Sequence, residues 1–222
     1  MISSTATDAH TGDDYDMKGL RKIPWDEGKE YITSGELWKL CRTEEMTYKY
    51  QAFKKKIELK NLDFTDVLMG KLNWSMEQLT TLNDKKYPSD NDKINASFAD
   101  DSLYKLTIND FPYNFEQNVH HLLIWSKIKL PIYLDDDMLN EDLNSPTKAF
   151  PTKNLLMKER IDIFLLENLE KKFGFKKKDY FWFINYSKLQ SIRGISHIHL
   201  MIRSDDMDLE EKIFDANFNQ IR

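Results

Sequence analysis

The segment from Thr152 to Phe173 constrains the fold more than any other part of this chain. Met157, Ile161, Phe164, Leu165, Leu169 and Phe173 recur at intervals of three and four, the spacing that lines one face of an α-helix. Gly174 follows in the position of a left-handed C-cap, since glycine alone enters that conformation without steric cost. A helix of this length with one apolar face must pack against something. The two runs behind it supply a sheet: Tyr180-Phe181-Trp182-Phe183-Ile184-Asn185-Tyr186 is aromatic and β-branched, and Ile195 to Ile202 alternates. A Ser- and Gly-containing connection joins them, so two neighbouring antiparallel strands are expected.

Earlier in the chain, Leu103 to Ile108 alternates, Asp110-Phe111-Pro112-Tyr113 reads as a turn, and Val119 to Trp125 is an apolar run of strand length. The front third reads as helical: Trp25 to Leu40 with a Ser34-Gly35 interruption and Cys41 beside it, a second helix capped by Thr43 and ending near Asn61, and a third over Thr65 to Leu72. The fold class is therefore α+β: an antiparallel sheet with a long packed helix and an N-terminal helical extension. Residues 1–17 read as a disordered tail and 18–222 as a single domain, with a helical front (18–82), sheet and long helix (103–204) and a short closing helix (205–222). The polar stretches Asn83 to Asp101 and Asp135 to Pro151 read as surface connections.

Composition narrows the function classes. A net charge of -5 and a pI near 5.6 lack the broad positive field that phosphate-backbone binding needs. Lys54-Lys55-Lys56 and Lys176-Lys177-Lys178 are diluted by neighbouring acids and read as solvated faces. Nucleic acid is not expected as a partner. No stretch approaches the about 18 consecutive apolar residues of a membrane span, and the lone Cys41 can form no internal disulfide, which fits a reducing compartment. The expected location is cytosolic, with diffusion into the nucleus. Nothing in the sequence names a protein partner.

The concentrated chemical signal is His197 and His199. On a strand, Ile195, His197, His199, Met201 and Arg203 share one face while Ser196, Ile198, Leu200 and Ile202 share the other, which is a clean core face. Two imidazoles then project about 6 to 7 Å apart, with a guanidinium one step on, an arrangement suited to an anion. A histidine can attack phosphorus when its other ring nitrogen is pinned and neighbouring donors neutralise the phosphoryl oxygens. In that scheme His199 is the nucleophile and His197 orients or donates. Arg203 and Lys127 are candidate phosphate contacts; Asn185, Gln190 and Ser191 are candidate polar donors. His120 and His121 lie together on another strand and must face opposite sides. If one of them approached His197 and His199, three neutral imidazoles could hold zinc with a fourth position open. No HExxH, CxxC or carboxylate-rich motif accompanies them, so no metal or cofactor is assigned.

The order Phe111-Pro112-Tyr113, then His121-Leu122-Leu123-Ile124-Trp125-Ser126-Lys127, then Asn185 with Gln190-Ser191, then His197-Ile198-His199-Leu200 resembles a family of fungal proteins named for induction by N-acetylglucosamine. The resemblance extends over the helical front from Trp25 to Trp74. It implies a cytoplasmic protein connected with N-acetylglucosamine metabolism, and no particular reaction. Phe111 to Arg203 is more distantly similar to the histidine-triad and galactose-1-phosphate uridylyltransferase superfamily. There the second histidine of a His-x-His strand takes a nucleotidyl group, which falls on His199. Met201 stands where that pattern has His or Gln, and a thioether cannot protonate a leaving group.

Two readings follow. One is a protein that binds or processes a phosphorylated or nucleotide-linked sugar through the His-x-His strand, as a nucleotidyl or phosphoryl transferase or hydrolase if it is an enzyme. The other is a non-catalytic regulatory or interaction protein with a structural histidine pair.

Overall fold

The computed structural model describes residues 21–134 and 153–221. The expected N-terminal tail (1–17) and the 135–151 connection lie outside the described residues. Four strands form one antiparallel sheet: β1 (Tyr104–Ile108), β2 (Val119–Ser126), β3 (Tyr180–Phe183) and β4 (Ser196–Arg203), in the order β1-β2-β4-β3. The two central strands pair along their full length, from Val119 opposite Arg203 to Ser126 opposite Ser196. The register places Leu123 opposite His199 and Trp125 opposite His197. β3 and β4 are neighbouring and antiparallel, as their sequences imply.

One face of the sheet carries Leu122, Ile124, Ile198, Leu200 and Ile202. It packs on Met157, Ile161, Phe164, Leu165 and Leu169 of the long helix. That helix begins at Leu155, where the Asn154 side chain accepts the Met157 N–H at 3.2 Å. It runs to Leu165 and continues as a wider π-helical segment through Lys172, and Gly174 follows it with φ of 77°. The buried apolar stripe is the one read from the sequence. A short helix over Leu209–Ala216 closes the same core through Leu209 and Ile213.

The helical front covers the opposite face. We number the helices in chain order: α1 (Trp25–Ser34), α2 (Glu44–Leu59), α3 (Phe64–Leu72), α4 (Met76–Thr80), α5 (Asp90–Ala96), α6 (Leu155–Leu165) and α7 (Leu209–Ala216). Thr43 caps α2, its hydroxyl accepting the Met46 N–H at 3.1 Å. Gly35 ends α1 in the left-handed region, which is the Ser34-Gly35 interruption. Cys41 is buried, yet it lies in the extended link before α2 rather than in a helix.

The front third meets the sheet as two separate clusters. Ile23, Trp25, Leu37, Trp38 and Leu40 join Phe183, Tyr186 and Met201. Leu68, Met69 and Leu72 of α3 and Leu79 of α4 join Leu123, Trp125, Ile192 and Ile195.

One expectation fails. Asn83 to Asp101 is not a loop: α4 continues as a π-helical turn over Thr81–Lys86, and α5 starts behind Ser89 in a capping box with Asp92. Its Ser, Asp and Asn residues are capping residues, the one context in which such polar residues promote helices. Ile94, Ala96 and Phe98 are buried, so this stretch is part of the fold's interior.

Candidate functional site

The face that bears the histidines is not an open polar surface. His121, His197 and His199 are 5%, 7% and 5% exposed, because α1 to α4 lie over this side of the sheet. The alternation read from β4 is right in phase, but both faces of the sheet are covered. Between the two front clusters a cleft of about 630 Å³ remains, with His197 and His199 on its wall.

His199 is held on every side. Phe183 stacks on it at 4.7 Å with the rings 6° from parallel, and Tyr113 lies 5.8 Å away. Its Nδ1 is 2.9 Å from His121 Nε2, and its Nε2 is 3.2 Å from the Asn185 amide nitrogen. The Asn109 side-chain oxygen accepts the Phe111 N–H at 3.0 Å, its amide nitrogen lies 3.1 Å from His121 Nε2, and the Tyr113 N–H donates to His121 Nδ1 at 3.4 Å. Asn185 also donates to the Tyr113 hydroxyl at 3.2 Å, while its Oδ1 is buried with no hydrogen-bond partner.

His197 is bound differently. Its Nδ1 lies 3.1 Å from the Ile195 carbonyl and its ring packs on Trp125 at 4.7 Å. A carbonyl only accepts, so Nδ1 carries the proton and Nε2 of the neutral ring is an unprotonated lone pair. Among the described residues no donor is bonded to that nitrogen.

Burial keeps all three rings neutral. Desolvation pushes His121 down to about 3, helped by the nearby Arg42 charge. His199 is lowered well below the usual histidine range by desolvation first, then by His121, His197 and Arg42. His197 is lowered by desolvation, against the bond to Ile195.

The other residues singled out in the sequence divide. Asn185, Gln190 and Ser191 line the cleft: the Gln190 amide donates to the Asn185 carbonyl at 2.6 Å, and Ser191 Oγ accepts from the Tyr50 hydroxyl at 2.5 Å. His121 supports His199 from behind the wall. The structure does not bring Arg203 or Lys127 to the cleft. The Arg203 guanidinium lies 5.0 Å over Trp25 and the Lys127 ammonium 5.3 Å over Trp74, each held by a ring of the helical front. His120 points the other way, with Nδ1 3.2 Å from Glu210 and Nε2 3.3 Å from the Ser204 carbonyl. Among the described residues no group of three His, Cys, Asp or Glu is placed to hold a metal ion.

Sequence reasoning missed the charge of the cleft. Among the described residues, Arg42, Lys54, Lys71, Lys188 and Arg193 line it with one acid, Asp110, which pairs with Lys71 at 2.6 Å. Lys54, Lys188 and Arg193 are exposed and mark the mouth, while Arg42 lies deeper, 4.8 Å over Tyr50 and 5.1 Å over Tyr113. A signal was present. Lys188 and Arg193 flank the Gln190-Ser191 turn already chosen as a polar donor, and Lys54 belongs to a basic cluster set aside as a solvated face.

A Saccharomyces cerevisiae protein, uncharacterized protein YPL067C, is 32% identical over 178 residues, which cover 80% of this chain and 77% of that protein. N-acetylglucosamine-induced protein 1 of Candida albicans is 30% identical over 204 residues, covering 89% of this chain and 75% of that one. The crystal structure of HTC1 superposes with a TM-score of 0.63 at 29% identity, over 90% of this chain and 99% of that chain. Residues 24–203, which include the front helices, all four strands and every cleft residue named above, match the model of one family, and the chain therefore belongs to DUF3605, described as a protein family of unknown function.

Proposed function

We propose that this protein binds a phosphorylated or nucleotide-linked small molecule in the cleft between the helical front and β4, as part of a cell's response to N-acetylglucosamine. The observation that carries the reading is the charge of the cleft: among the described residues, five basic residues and one acid line it in a chain of net charge -5. A concave, partly desolvated site of one sign focuses its field and concentrates an oppositely charged ligand. The aromatic wall formed by Tyr50, Phe53, Phe111 and Tyr113 suits the flat face of a sugar or base. The link to N-acetylglucosamine rests on the name of the Candida albicans relative.

Thermal denaturation with added ligand tests this. UDP-N-acetylglucosamine and N-acetylglucosamine 6-phosphate are expected to raise the Tm and free N-acetylglucosamine to have little effect, since only the charged compounds engage the mouth. Lys188→Glu with Arg193→Glu should abolish the shift, and added salt should weaken it. Equal behaviour of charged and uncharged sugars would remove the support for this reading.

The histidine geometry favours binding over a nucleophilic His199. Both ring nitrogens of His199 are engaged by neighbours, and Met201, where the histidine-triad pattern has a polar group, is fully buried against the front cluster.

A further inference from the structure

His197 gives the cleft a second chemical character. Its Nε2 is an acceptor by necessity, because the Ile195 carbonyl at 3.1 Å demands the ring's one proton on Nδ1. The ring cannot turn away, with Trp125 centred 4.7 Å from it and His199 5.3 Å. His197 is also among the residues that line the cleft. The basic side chains are exposed at the mouth, whereas His197 is only 7% exposed. A deprotonated phosphate oxygen cannot satisfy it, since two lone pairs repel. An O–H or N–H can.

We infer that the cleft reads its ligand in two parts: Lys54, Lys188 and Arg193 hold an anionic group at the mouth, and His197 Nε2 at the floor accepts a hydrogen bond from a neutral hydroxyl or amide N–H of the same molecule. The ligand class is then a sugar phosphate or sugar nucleotide, with donors at a distance from its charge, rather than inorganic phosphate. This rests on the anion-binding reading above and adds the second contact. It assigns His197 a role in selecting the ligand, where the pattern of the strand pointed to His199.

Calorimetric titration of the full chain with inorganic phosphate, N-acetylglucosamine and N-acetylglucosamine 6-phosphate tests it. The sugar phosphate is expected to bind about tenfold more tightly than inorganic phosphate, the worth of a hydrogen bond to an otherwise unsatisfied acceptor. His197→Leu should bring the two close together and leave inorganic phosphate unchanged; His197→Gln, which keeps an acceptor, should retain part of the preference.

An independent reading needs no variant. In nitrogen-15 spectra of the unaltered protein, the unprotonated His197 Nε2 resonance should move on addition of the sugar phosphate and stay still with inorganic phosphate. If both phosphates bind while the leucine variant keeps the sugar preference, or the resonance is unmoved, the floor contact is refuted and the basic mouth stands. If neither charged compound binds, the mouth fails and this inference fails with it.

Discussion

Lowering the pH from 7 to 5 is expected to destabilise the fold before any carboxylate titrates, and His121 sets the scale. In the folded protein desolvation holds His121 neutral down to about 3, while in the unfolded chain an imidazole takes its proton at about 6.5. Between those values the unfolded state binds more protons, so stability rises with pH. The contribution is fully present above about 6.5 and is lost as pH falls toward 3. From pH 7 to pH 5 that linkage amounts to about 2 kcal/mol for His121. His199 and His197, also lowered by burial, add loss of the same sign. Glu27 and Glu36, held low by Arg21 and Lys39, act in the same direction, but only as pH approaches the unfolded carboxylate range near about 4. Urea denaturation at pH 7, 6 and 5 measures the effect, compared with His121→Gln, which has no proton to take up there. The wild type should lose about 2 kcal/mol more than the variant over this range. Equal losses in the two proteins would mean that water reaches His121 in the folded state, and the account of the site as dry would be refuted.

Three further outcomes follow from packing. Gly28→Ala places a Cβ 2.3 Å from the ring of buried Phe115, so overpacking of about 1–3 kcal/mol should outweigh the about 1 kcal/mol gain in helix propensity and lower the Tm by a few degrees in calorimetry. Tyr50→Phe removes the hydroxyl that reaches Ser191 across the cleft and should speed amide exchange in the Ser187–Gly194 segment while leaving β4 protected; unchanged exchange would show that this bond does not hold the wall. Arg160→Ala strips donors from the carbonyls of Ser97, Asn95 and Ile221, and about 2 kcal/mol of urea stability should go with them.

Much of the fold was legible because its signals are local. The stripe of the long helix, Gly174 at its end, the Thr43 cap and the four strands each follow from spacing or from one residue's chemistry. The α5 region was misread for a local reason as well: Ser89 and Asp92 serve loops and helix starts equally, and only the burial of Ile94 and Phe98 decides between them. The site was legible in part. Strand alternation correctly put His197 and His199 on one side, but alternation cannot say what covers that side. Arg203 was chosen because it shares a strand face with the histidines, yet neither it nor Lys127 lines the cleft, whereas proximity in space belongs to Arg42, Lys54, Lys188 and Arg193, which come from a distant helix, its approach and a turn.

The placement of three imidazoles in the seam between two apolar clusters also bears on function. Leucine or valine at 121, 197 and 199 would bury without desolvation cost and would pack against Phe183, Trp125 and Met201 as neighbouring strand positions do. The seam instead carries three lowered histidines, a buried Asn185 oxygen with no partner, and a lone pair on His197 that no described residue satisfies. Local rules are broken together here, and such clustering is expected where a structure is shaped for a ligand rather than for its own stability. The same reasoning orders the roles within the trio. His121 and His199 satisfy each other and stiffen the wall, so replacing them costs stability first, whereas the unsatisfied nitrogen of His197 leaves that residue as the one whose loss is felt in binding.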